Sequence, residues 1–131
     1  MKQALRDYFD EQVEWVLSRF PDRVHQLLDV VPMYVEDYPS PRVMKEMGVR
    51  RRSDLCGYYT GIPLPERHIE HSGTLSDAIY LYRAGILSLA CDEDGEIDED
   101  ELQHQIRVTI LHELGHHHGM TEEELDALGY E

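Results

Sequence analysis

The sequence predicts an α+β domain in which a small mixed sheet packs against helices, with an HExxH helix near the C-terminus. Three observations carry that expectation. The chain has 131 residues, enough for one hydrophobic core and too few for a second, so residues 1–131 are read as a single domain. Apolar residues recur at three-and-four spacing near both ends, while short alternating or β-prone runs lie between them. Finally, His112-Glu113-Leu114-Gly115-His116 writes two histidines four apart on the last long helical pattern.

Taken in order, Leu5, Tyr8, Phe9, Val13, Val16, Leu17 and Phe20 mark an amphipathic helix over residues 3–20, stopped by Pro21. Asp22 can cap a short second helix carrying Val24, Leu27 and Leu28. Residues 30–35, VVPMYV, read as a strand, and Pro32 suits only an edge or a strand start. Residues 37–54 hold Pro39, Pro41 and Gly48 and are read as a loop with room for one short helix. Residues 55–60 return to strand character with Tyr58 and Tyr59 on opposite faces, and Gly61-Ile62-Pro63-Leu64-Pro65 turns the chain.

Residues 78–83 alternate, with Ile79, Leu81 and Arg83 on one face and Tyr80 and Tyr82 on the other. Residues 84–90 form a short apolar helix. The acidic run 92–101 partly imitates a calcium loop, with Gly95 as its glycine and Glu101 as its last ligand. Its first place would be Ala90, which has no carboxylate, and no second such loop exists to pair with it. The run is therefore a solvated linker whose Asp98 and Glu101 cap the next helix. That helix, about residues 98–118, buries Leu102, Ile106, Ile110 and Leu114.

On this helix His112 and His116 stack on one face and can place two imidazole nitrogens on one ion. Zn(II) suits such donors, accepting neutral imidazole at about 2.0–2.1 Å in a tetrahedron. Glu113, one step round the helix, is placed as a general base and poorly placed as a ligand. A catalytic zinc needs a third protein ligand. Gly119 can end the helix and turn the chain back toward the ion, which makes Glu122 the first candidate. Thr121-Glu122-Glu123-Glu124 also reads as a capping box that engages Glu124. Glu123 and Asp126 remain alternatives.

The remaining histidines read differently. His25, His68 and His71 are surface residues, His104 lies about 12 Å along the helix from His112 and cannot share its ion, and His117 faces the sheet or supports the site. Cys56 and Cys91 lack CxxC spacing and read as free, part-buried thiols. With 12 Lys+Arg against 27 Asp+Glu, the net charge of −15 argues against nucleic acid and anionic membrane surfaces as partners. Arg50, Arg51 and Arg52, flanked by Arg42 and Lys45, form the one basic cluster; it reads as a solvated loop, or as a dock for an acidic partner or a peptide terminus. No run resembles a signal peptide or a membrane helix, so a cytoplasmic location is expected.

The segment HELGHHHGMTEEELDALGY resembles the C-terminal signature of a family of small bacterial zincin-like metallopeptidases, HExGHHxGxxD followed by a short helix and a terminal Leu-Gly-aromatic. LCGYYTGIPLPER, HSGTLSD and AIYLYR resemble the same family's middle region in the same order, so the likeness covers about residues 55–130. It implies a minimal zincin-like fold, His112 and His116 as zinc ligands, Glu113 as the base, and Glu122 at an acidic position usually written as Asp. It also implies the strand 78–83 as the edge that receives substrate. His118 stands where an apolar residue is expected and adds a spare imidazole near the site.

The function so implied is zinc-dependent hydrolysis of peptide bonds in a peptide or protein substrate. A zinc-bound water would be deprotonated by Glu113, which then passes the proton to the leaving amine. Tyr80, Tyr82 and Tyr130 are candidates for steadying the oxyanion. Support beneath the ion would come from upstream methionines, from Met120, or not at all. The alternative is a non-catalytic zinc-binding interaction domain that keeps the ion for stability.

Overall fold

A computed structural model describes residues 1–61, 77–118 and 123. Among them the chain forms α1 (Gln3–Ser18), α2 (Asp22–Val30), β1 (Met33–Glu36), α3 (Pro41–Met47), β2 (Gly57–Thr60), β3 (Ala78–Tyr82), α4 (Arg83–Ala90) and α5 (Glu99–His117). The mixed α+β class is as the sequence predicts. No helix among the described residues is long and apolar enough to cross a membrane.

The strands form one sheet in the order β1-β3-β2. β1 runs parallel to β3 with Met33 opposite Ile79, and β2 runs antiparallel to it with Tyr59 opposite Ile79. β3 is therefore the central strand, and its backbone is engaged on both sides. That corrects the expectation that residues 78–83 form a substrate-receiving edge. Local alternation marks a strand but carries nothing about its neighbours.

Side-chain alternation along β3 sorts the two faces of the sheet. Ile79 and Leu81 enter the main core with Phe9, Ile86, Leu102, Ile106 and Ile110, whereas Tyr82 joins a smaller cluster with Val43 and Tyr58. Arg83 does not extend the strand. It opens α4, and its guanidinium reaches Asp10 and Asp37. Helix α5 packs on α1, α4, β2 and β3 and forms the spine of the domain.

Several boundaries differ from the expectation. Val30 ends α2, and the strand begins at Met33, after Pro32, on an edge of the sheet. Asp22 is the first helical residue of α2, with Pro21 before it. The segment after β1 does hold a short helix, α3, where the Ser40 side chain accepts from the Val43 amide and Pro41 stands at the first turn. Asp98 caps α5 by accepting from the Glu101 amide, but the Glu101 carboxylate turns to Gln105. Residues 92–96 close a turn in which Asp92 accepts from the amides of Asp94 and Glu96, between bridged Cys91 and Ile97. Cys91 is exposed there, while Cys56 is part-buried as expected.

Candidate metal centre

Helix α5 carries two stripes at helical spacing. Leu102, Ile106, Ile110 and Leu114 are buried in the main core. Thr109, His112, Glu113 and His116, at i, i+3, i+4 and i+7, line a cleft of about 510 Å³ whose other wall is β2 and the chain leading into it. The core stripe thus fixes the roll of the helix, and the roll sends both histidines to the cleft.

His112 Nε2 and His116 Nε2 are 3.1 Å apart, with ring centroids at 4.7 Å and planes inclined by 77°. Two nitrogens each about 2.05 Å from a tetrahedral ion would be about 3.3 Å apart. With a Glu113 oxygen the donor atoms lie within 4.8 Å of one another. This imidazole pair, half-buried and open to the cleft, fits a zinc ion by donor chemistry and by spacing. Glu122, Gly119, Met120, Tyr130 and the capping box at Thr121 lie outside the described residues, as do His68 and His71.

Glu113 is 8% exposed. It is hemmed by β2, because a Cβ built on Gly57 would stand 3.2 Å from Glu113 Cγ, 2.7 Å from Thr109 Cγ2 and 3.0 Å from the Tyr80 carbonyl oxygen. The glycine is what lets the strand lie against the helix here. Cys56, just before Gly57, also lines the cleft, and burial, with the nearby Glu113 charge second, pushes its thiol up to about 11. It stays protonated at neutral pH.

Behind the cleft, His117 Nδ1 stands 2.9 Å from Asp77 Oδ2, with both side chains buried. The Tyr59 ring meets His117 edge-on at 6.0 Å. His117 thus faces the sheet, as its position on the helix predicts. His118 does not add an imidazole to the site. It is exposed and borders a separate depression with Val24, Leu27, Leu111 and Leu114. His104 and His25 are exposed too, and His104 lies toward α1 beside Trp15.

Tyr80 and Tyr82 are also displaced from the expectation. They face the smaller cluster on the side of the sheet away from α5, beside Val43 and Tyr58. Among the described residues, the tyrosines that border the cleft are Tyr58 and Tyr59. Sequence reading missed Thr109, Cys56, Gly57 and Asp77. Thr109 was findable, three residues before His112 on the same helix; the other three are brought in by chain pairing.

The fold and the cluster together define a small α+β domain built round an HExxH helix. The sequence profile of the zincin-like metallopeptidase family matches residues 28–130, and the chain belongs to that family. Zinc binding is what the family implies. No curated protein matches the chain significantly.

Proposed function

We propose that the chain is a zinc-dependent peptidase in which His112, His116 and Glu122 hold the ion and Glu113 is the general base. The observation that carries this is the convergence of His112, Glu113 and His116, with donor atoms within 4.8 Å, at the wall of an open cleft. Bound there, zinc supplies a Lewis acid that polarises the scissile carbonyl and lowers the pKa of the attacking water. Glu113 takes the proton from that water and delivers it to the leaving amine. Its burial against Gly57 holds the carboxylate in place while leaving an oxygen toward the histidines.

The substrate backbone is read as lying along β2. That strand walls the cleft, and among the described residues it is hydrogen-bonded to a neighbour on one side only. An extended peptide can add to such an edge through main-chain hydrogen bonds.

Metal content of untagged protein, compared with His116→Ala, tests the site. About one zinc per chain is expected in the wild type and none in the variant. Glu113→Gln should retain zinc and fold while losing hydrolysis of an unfolded-protein panel by about two to four orders of magnitude. Undiminished hydrolysis would remove Glu113 from the mechanism. Zinc whose chelation unfolds the domain, with no Glu113-dependent cleavage, would instead establish a structural ion in a binding domain.

A further inference from the structure

The chain carries 27 acidic residues against 12 cationic ones, yet residues 42–52 hold five of those cations, Arg42, Lys45, Arg50, Arg51 and Arg52, and one carboxylate, Glu46. This stretch borders the site. Glu46 and Met47 line the histidine cleft, and Arg42 and Lys45 line an adjoining open depression of about 560 Å³ with Glu46, Tyr58 and Thr60. Glu46 and Tyr58 belong to both, so the two hollows meet across β2.

The position of the cations follows from α3, which sets Arg42 and Lys45 three residues apart on one face. Both are exposed, and among the described residues neither is ion-paired to a carboxylate. Glu46 is engaged, accepting the Tyr58 hydroxyl at 2.5 Å. The field of the whole acidic molecule is screened within about 8–10 Å at physiological salt, so at contact distance the local sign decides which side chain is accepted.

An extended chain alternates its side chains between the two faces of a sheet. Along β2, Gly57 and Tyr59 face α5, whereas Tyr58 and Thr60 face α3 and its cations. A peptide laid along this edge therefore sends every second side chain toward Arg42 and Lys45. From Gly57, beside Glu113, to Thr60 is about 10 Å of strand, or three residues.

We propose that Arg42 and Lys45 are specificity-determining residues that select peptide segments with acidic side chains on the α3-facing positions, within about three residues of the scissile bond. The inference rests on reading the cleft as a peptidase site with its substrate along β2. Acidic substrates would gain both affinity and register at the rim, while an amide or a lysine there would not.

The test uses two fluorescein-labelled decapeptides, one with Glu at every second position and one with Gln in its place, and zinc-loaded Glu113→Gln protein. Anisotropy should show the Glu peptide binding about tenfold tighter, as two exposed ion pairs would give. Arg42→Glu with Lys45→Glu should bring the ratio to one or invert it, at unchanged circular dichroism and zinc content. Should that double reversal fail to fold, Arg42→Gln and Lys45→Gln singly should each lower the ratio by about threefold. Equal affinities, tighter binding of the Gln peptide, no binding of either, or a preference that survives these substitutions overturns the proposal. Cleavage by wild-type protein separates this inference from the peptidase reading. Equal, Glu113-dependent cleavage of both peptides sinks the acidic preference alone. Charge-selective binding without cleavage sinks the peptidase and leaves the acidic recognition standing.

Discussion

Asp77 and His117 stand 2.9 Å apart with both side chains buried, tying the residue before β3 to the last turn of α5, one position past His116. A carboxylate so far from water is tolerable only with partners at hand, and removing one partner of a buried pair leaves the other to bear its full desolvation. Asp77→Ala removes this partner from the buried His117 ring nitrogen and should therefore lower the unfolding free energy by about 1–3 kcal/mol, read by urea denaturation. A change under about 0.5 kcal/mol, the scale of an ordinary surface substitution, would show that the pair is not an anchor. The inward direction of His117 was legible from helical periodicity. Its partner was not, because nothing local to Asp77 signals a histidine forty residues on.

At the scale of elements, the site depends on how closely β2 lies on α5. Gly57 sets that distance, since a Cβ there would meet Thr109 Cγ2 at 2.7 Å and the Tyr80 carbonyl at 3.0 Å, contacts that neither strand nor helix can yield without moving. Gly57→Ala should displace β2 from Glu113. The proposed hydrolysis by the zinc-loaded protein should fall on the order of 100-fold, as small misplacements of reacting groups do, and the melting temperature should drop as overpacking predicts. Retained activity at unchanged stability would mean that the strand has slack. Gly85 has a similar role in the next layer out, where an added Cβ would run into the Leu55 carbonyl on the approach to β2.

Over the whole molecule, a charge network joins distant segments. Arg6 from α1 and Arg83 from α4 both reach Asp37, just after β1, at 2.6 Å and 2.9 Å, and Arg83 also pairs with Asp10. The Arg6 guanidinium, helped by Arg83, holds the Asp37 carboxyl below the usual carboxylate range although partial burial opposes it. Because the folded value is depressed, the stability from this group is complete above the ordinary carboxylate pKa of about 3.9 and is lost as pH falls through the lower folded value. Asp37→Asn should thus be less stable than wild type by a constant margin above about pH 5, and the margin should narrow as pH falls below the ordinary carboxylate value of about 3.9 toward the depressed folded one. Thermal melts across that range measure it. A margin that persists unchanged to pH 2 would assign the effect to packing.

What the sequence determined by itself is what local periodicity and local chemistry encode. The spacing of Leu102, Ile106, Ile110 and Leu114 fixed the buried side of α5, and with it the side on which Thr109, His112, Glu113 and His116 come together. Proline stops, alternation at Tyr58 and Tyr59, and the Asp98 cap were legible in the same way. Tertiary structure alone decided which strand is central. β3 pairs Ile79 with Met33 on one side and with Tyr59 on the other, contacts between residues far apart in sequence that no local pattern specifies. That pairing placed β3 between two neighbours and left β2, among the described residues, paired on one side only; it turned Tyr80 and Tyr82 away from the histidines, set Gly57 and Cys56 beside them, and put Arg42 and Lys45 on the adjoining hollow. Helical faces follow from a repeat of 3.6 residues, whereas strand order follows from which long-range pairing buries the core, and only the folded chain contains that answer.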